Sequence, residues 1–296
     1  MESLLAKKIM AGDFIITAEY LPDTDIEAKP RNIFMNCPAV AVNVADNPFG
    51  PVISSLAAAI KLKQAEIEPI YQLITRDRNR IALQSDILGA ASMGIKNILC
   101  LSGYHQTLTD MPESANVYDL DSIQLIELVN KMNTERTLLN GAKIKGNYSM
   151  LAGAVVNPYL RPLELNILRL MKKVKAGARF IQTQAVFNTT DFQEWLHAAY
   201  QEGITEKSAI IAGIYPLESY EEALNLLNKH TDFYIPESHI KRIKEAGNLE
   251  AQMKMGIAIC VETIGKIKEM KGLSGIHIIS GGKEGIISEI ISDAGL

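Results

Sequence analysis

The feature that most constrains this chain is an alternation. Short runs rich in β-branched and apolar residues recur along its length, and amphipathic stretches of helical spacing separate them. Strands are predicted over 14–21, 39–45, 69–75, 97–102, 147–156, 180–186, 209–214 and 276–280. Helices are predicted over 54–66, 80–93, 122–136, 162–176, 190–201, 219–229 and 249–271. Helices between consecutive strands imply right-handed βαβ units and a parallel sheet. Eight such units suit a closed (β/α)8 TIM barrel, with a doubly wound open sheet as the alternative. Closure is favoured because no GxGxxG follows the first strand and because polar residues cluster at the C-terminal ends of several strands. No Pro/Ser/Gly linker or charge block divides the chain, so residues 1–296 are read as one barrel domain.

Composition narrows the function. At 296 residues, 47% apolar and 22% charged, the chain can build a large core without disulfides. Its 30 basic residues against 34 acidic ones give a net charge of −4, the wrong balance for gripping nucleic acid. No apolar run reaches the roughly 18 to 20 residues of a membrane span, and the N-terminal MESLLAKKIMAGDF lacks the apolar segment of a signal peptide. Cys37, Cys100 and Cys260 are widely spaced and outside any CxxC, which points to free thiols in a reducing compartment, the cytoplasm. HExxH, GxSxG and Walker patterns are absent, and no His lies at metal-ligand spacing from another His or a carboxylate. No metal is expected.

Several strand ends carry polar groups. Alternation puts Ile15, Thr17 and Glu19 on one face of the first strand and Phe14, Ile16, Ala18 and Tyr20 on the other. Glu19 is then either a partly desolvated general acid or a strand-end carboxylate paired with a nearby cation. The third strand runs into TRDRNR, where Asp77 or Asn79 can cap the next helix and the arginines can meet an anion or a neighbouring loop. The fourth ends LSGY, where Gly103 either makes a turn or lets a flat ligand approach the backbone. After the fifth come Asn157-Pro158 and a helix with Asn166, Arg169 and Lys173 on one face, which is either a diphosphate site or the solvated side of a barrel helix. Gln182 and Gln184 share a face of the sixth strand, and buried amides there need partners, which a hydrogen-bonding ligand can supply.

Together, TAEYLP, NVADNP, TRDRNRIALQSDILGA, NILCLSG, NPYLRP, AGARFIQTQ, AGIYPL and YIPE resemble the methylenetetrahydrofolate reductases, from about Phe14 to the C-terminus. The resemblance is closest to the short bacterial form without a regulatory domain. It implies a flavin-dependent (β/α)8 barrel that reduces 5,10-methylenetetrahydrofolate to 5-methyltetrahydrofolate, with FAD (FMN being possible) as cofactor. NAD(P)H or a protein is the implied electron donor, and a partner subunit or homo-oligomer is compatible with it. Glu19 matches the family's general acid. Gln184, Tyr220 and Lys283 match folate-binding positions. Asn43, Gln72, Ser102, Gly103 and Tyr104 fall at flavin-lining positions, and Asn157, Asn166, Arg169, Lys172 and Lys173 match the stretch that holds the rest of the cofactor. Three positions depart from the pattern. Tyr104 stands where the family has an aspartate near flavin N1, Asn166 replaces an aspartate, and Lys283 stands at an arginine position. A neutral phenol at position 104 favours an alternative, a divergent paralogue that serves as a pterin- or flavin-binding or electron-transfer subunit of a complex.

Overall fold

The computed structural model describes residues 2–229 and 234–296, and in it the eight strands close into one parallel barrel. The strands are β1 Ile15–Tyr20, β2 Ala41–Val44, β3 Pro69–Ile74, β4 Asn97–Leu101, β5 Leu151–Val156, β6 Phe180–Ala185, β7 Ala209–Ile214 and β8 Leu273–Ile278. Each pairs with its neighbour in chain order, and β8 returns to β1 with Thr17 beside His277. The helices are α1 Leu4–Ala11, α2 Arg31–Phe34, α3 Ser55–Gln64, α4 Arg80–Ser92, α5 Ser122–Thr134, α6 Leu163–Ala176, α7 Thr189–Gln201, α8 Tyr220–Lys229, α9 Glu237–Glu245, α10 Leu249–Ile267 and α11 Ile287–Asp293. Among the described residues no helix is long and apolar enough to cross a membrane.

The alternation along each strand separates two cores. Outward residues such as Ala18, Val42, Tyr71, Leu73, Ile98 and Ile181 pack beneath the helices. Inward residues stack in layers. Ile15, Ala41, Ile70, Leu99, Phe180, Ala209 and Ile211 fill the N-terminal end of the barrel, and Leu5 of α1 joins them. Each large side chain buried there is worth about 1.5–3 kcal/mol relative to exposure. The next inward layer is polar and buried: Thr17, Asn43, Gln182 and His277. Above it lie Glu19, Gln72 and Gln184, at the C-terminal mouth.

The strand boundaries that differ most from expectation are those of β5 and β8. β5 begins at Leu151 rather than 147, because the Met150 amide donates to the Asn133 side chain instead of joining the ladder. β8 begins at Leu273, three residues early, and ends at Ile278. Gly275 permits this. A Cβ there would sit 2.0 Å from the Ile15 carbonyl oxygen, so only glycine lets β8 close on β1.

Helix α1, unassigned from sequence, closes the N-terminal mouth. Ser3 caps it by accepting from the Ala6 amide, and the Glu68 carboxylate accepts from the Leu4 and Leu5 amides at 2.6 and 2.9 Å.

Candidate functional site

Barrel geometry opens the C-terminal mouth into two adjoining compartments of about 320 Å³ each. The outer one is lined by Asp46, Arg76, Ser102, Gly103 and Lys173, among others, and the deep one by Glu19, Asn43, Phe49, Gln182, Tyr215 and His277. Gln72, Tyr104 and Gln184 face both. Among the described residues no hydrogen bond occupies the side-chain amides of Gln72 and Gln184. Both pairs of groups are therefore available to a ligand.

Glu19 lies at the end of β1, where its carboxylate accepts a long 3.3 Å bond from the Gly281 amide, with the Ser280 main chain also favouring its charged form. Burial, opposed by the Gly281 and Ser280 main-chain hydrogen bonds and helped by the Glu284 carboxylate, raises its pKa to about 7. No cation pairs with it among the described residues, so the strand-end ion pair open from sequence is not formed. A carboxylic acid half protonated near neutral pH is suited to giving a proton to a bound molecule.

The outer compartment has a cation of its own. Lys173 projects from α6 to the Val155 main-chain carbonyl, to which its amine donates. Burial, helped by the charge of Arg169 and opposed by Asp121, lowers its pKa to about 8. Such a desolvated amine gains from an anionic neighbour. Gly103 has φ +81°, and a Cβ there would press within 3.3 Å of Ile74 and Arg76, so the glycine serves the turn as such. The Tyr104 ring stacks on Phe49 with centroids 6.5 Å apart and planes 10° apart.

The arginines of TRDRNR are paired with neighbouring carboxylates, although Arg76 also lines the outer compartment. Arg76 binds Asp77 and the Asn47 and Tyr104 carbonyls; Arg78 pairs with Asp46 and Asp86; Arg80 pairs with Asp119. Asn79 is the cap of α4, accepting from the Ile81 and Ala82 amides.

Other expected site residues are placed elsewhere or engaged. Asn166 is buried and donates to the Asn157 and Leu160 carbonyls, which orders the β5–α6 loop. Arg169 and Lys172 are exposed, and neither lines a compartment. Of the basic residues on this helix only Lys173 lines a compartment: Lys172 is turned about 100° away from it, and Arg169 shares its face but stays exposed. Tyr220 begins α8 outside both linings, with the Lys244 amine 4.9 Å from its ring centroid. Leu226 from the same helix reaches the deep compartment instead. Lys283 donates to Glu222 at 2.6 Å and to the Pro216 carbonyl at 3.2 Å, over the ring of Tyr215. Asn43 lies in the polar layer, where it exchanges two hydrogen bonds with Gln182 at 2.6 and 3.1 Å. Sequence reasoning missed His277 and Tyr215. His277 is one polar residue in an apolar strand, and its facing partner Thr17 is 260 positions away, so only pairing of β1 with β8 exposes the signal.

A family model described as methylenetetrahydrofolate reductase matches residues 4–295. The chain belongs to the methylenetetrahydrofolate reductase family. A curated relative, "Probable methylenetetrahydrofolate reductase (NADPH)" of Caenorhabditis elegans, is 24% identical over 247 residues, 82% of this chain. The chain spans about a third, 34%, of that relative's length. Among solved structures, an uncharacterized protein from Clostridium thermocellum described as binding two copies of 5-methyl-5,6,7,8-tetrahydrofolic acid superposes with TM-score 0.65. It is 15% identical, and the match covers 99% of this chain and 98% of that one, a likeness of fold.

Proposed function

We propose that the chain reduces 5,10-methylenetetrahydrofolate to 5-methyltetrahydrofolate with a bound flavin, FAD, in the outer compartment and the folate in the deep one. The observation that carries this reading is Glu19: a desolvated carboxyl group with a pKa near 7 in a compartment that adjoins a second one bearing a desolvated cation. The outer residues fit a flavin. Lys173 offsets phosphate charge, while Gln72 and Ser102 present polar side chains to a ring. When bound, the flavin supplies the hydride. Glu19 holds the proton at its carboxyl oxygen and gives it to the folate nitrogen that opens the methylene bridge, which leaves an iminium carbon able to accept hydride. Gln184 orients the pterin by donating and accepting through its unengaged amide. The closed N-terminal end and the Tyr104–Phe49 pair limit water.

The test is a purified protein that carries a visible flavin spectrum and, once reduced, turns over methylenetetrahydrofolate. A protein with neither property contradicts the proposal.

A second reading is favoured by Tyr104, whose ring lines both compartments where the family has an aspartate. In it the chain is a pterin-binding subunit without flavin chemistry of its own, and both compartments take a reduced folate. The Clostridium thermocellum protein, with its two folates, supports that stoichiometry. Titration with 5-methyltetrahydrofolate separates the readings: two equivalents bound and no flavin favours the second, one equivalent beside a flavin the first.

A further inference from the structure

The floor of the deep compartment is a connected chain of polar groups. The Gln182 amide nitrogen donates to the Asn43 side-chain oxygen at 3.1 Å and to the Thr17 hydroxyl at 3.2 Å. The Thr17 hydroxyl lies 3.0 Å from Nδ1 of His277 and 3.5 Å from the Ile276 carbonyl. A hydroxyl has one proton. With an amide already donating to it, its shorter and better partner is Nδ1, which accepts. The imidazole proton then resides on Nε2.

His277 is 4% exposed and lines the deep compartment. Its Nε2 has no partner among the described residues. Nε2 is open to the cavity and not enclosed by protein, so its hydrogen bond goes to water or to a ligand that enters. Burial pushes the ring's pKa down to about 3 against the opposing hydrogen bond of the Thr17 main chain, so the imidazole is neutral at physiological pH. A neutral ring with a fixed tautomer offers one N–H donor and no charge. Such a donor suits an acceptor on an uncharged heterocycle, while Glu19 holds a proton poised for transfer near pH 7.

We propose that His277 is a substrate-binding residue: its Nε2–H donates from the barrel floor to an acceptor on the reduced pterin, a carbonyl oxygen or an unprotonated ring nitrogen, with Thr17 as the positioning residue that fixes the tautomer. The assignment rests on the folate reading above and adds to it the group that meets the buried edge of the ring. Glu19 and Gln184 act at the rim, two residues further along β1 and β6 than Thr17 and Gln182. His277 thus sets the depth to which the pterin inserts.

The experiment uses the whole chain and 5-methyltetrahydrofolate as probe. Long-range ¹H–¹⁵N spectra of the imidazoles should assign His277 as the neutral Nε2–H tautomer without ligand, and its Nε2 signal should shift on adding the folate. An Nδ1–H tautomer, or an imidazole that titrates near the ordinary His value, overturns the proposal, since the network then runs in the opposite direction. In binding, His277→Leu should weaken folate affinity about tenfold or more, while His277→Gln, which retains an N–H donor, recovers part of it. Thr17→Val should weaken binding by less than His277→Leu and shift the tautomer signal, an effect packing alone would not produce. Equal affinity for wild type and both His277 variants overturns the proposal while leaving the folate reading intact. A wild-type protein that binds no folate overturns that reading and this contact with it, and the two failures are told apart by the wild-type titration alone.

Discussion

The two ends of the barrel interior are built from opposite chemistry. At the N-terminal end, Ile15, Ala41, Ile70, Leu99, Phe180 and Ile211 pack with Leu5 of α1, and the opening is closed. At the C-terminal end, the same strands present Thr17 and Glu19, Asn43, Gln72, and Gln182 and Gln184, and the opening leads to two compartments. A step of two residues along a strand therefore moves from packing to chemistry. Stability and reactivity are drawn from the same strands but from different positions, so substitutions at the two ends should have separable effects.

The largest effect is expected at the closed end. Phe180→Ala removes a fully buried ring and should cost about 3–5 kcal/mol of unfolding free energy, read by denaturant titration, with little change in the pKa of Glu19. A loss of the rim acid's properties with unchanged stability would break the separation.

Glu19→Gln tests the other end. It keeps shape but removes the proton, so folate reduction should fall by roughly 10²-fold while reduction of the flavin by its donor persists. Its stability effect has the opposite sign to that of Phe180→Ala. Because the folded pKa of Glu19, about 7, lies above its ordinary 4.5, the wild type loses stability as pH rises through that interval, up to about 3 kcal/mol. Glu19→Gln should flatten that slope and be the more stable protein above pH 7. Equal pH slopes in the two proteins would contradict the burial of the carboxylate.

The basic face of α6 offers a smaller contrast. Lys173→Met should weaken flavin retention roughly tenfold, whereas Lys172→Met, on an exposed side chain, should not alter it. Because the amine loses its charge above about pH 8, wild-type flavin affinity should also decline as pH rises through that value. Equal retention in the two lysine variants would remove α6 from the cofactor site. The smallest effect is expected from Tyr104→Asp. A carboxylate there should lower the midpoint potential of a bound flavin, because negative charge disfavours the reduced anion. An unchanged potential would place the flavin away from residue 104.

The strands were legible because alternation marks both barrel cores, and β7 begins and ends where the sequence predicts. The ends of β8 were not. Ser274 and Gly275 interrupt the apolar run before Ile276, and the close approach of β1 that makes Gly275 necessary is a contact across the whole chain. Helix α1 had its signals, a Ser3 cap and Gly12 at its end, yet Leu5 acquires its meaning only when the barrel bottom exists. In the site, Glu19, Gln72, Tyr104 and Gln184 line one compartment. The polar face of α6 does not act as one unit: Asn166 ties a loop, Arg169 faces outward, and Lys173 alone enters the compartment. Helical spacing gave the shared face but not the depth of each side chain. The polar floor around His277 was illegible for the same reason as Gly275, since its partners come from β1, β2, β6 and β8.

The account turns on whether the rim holds an acid that is protonated at neutral pH. Titration of the Glu19 carboxyl by difference infrared spectroscopy, wild type against Glu19→Gln, reads this directly. A protonated-carboxyl band that disappears in the variant and titrates with a midpoint near 7 is the predicted result, whereas a midpoint near the ordinary 4.5 would contradict the role of Glu19 as proton donor and with it the proposed reaction.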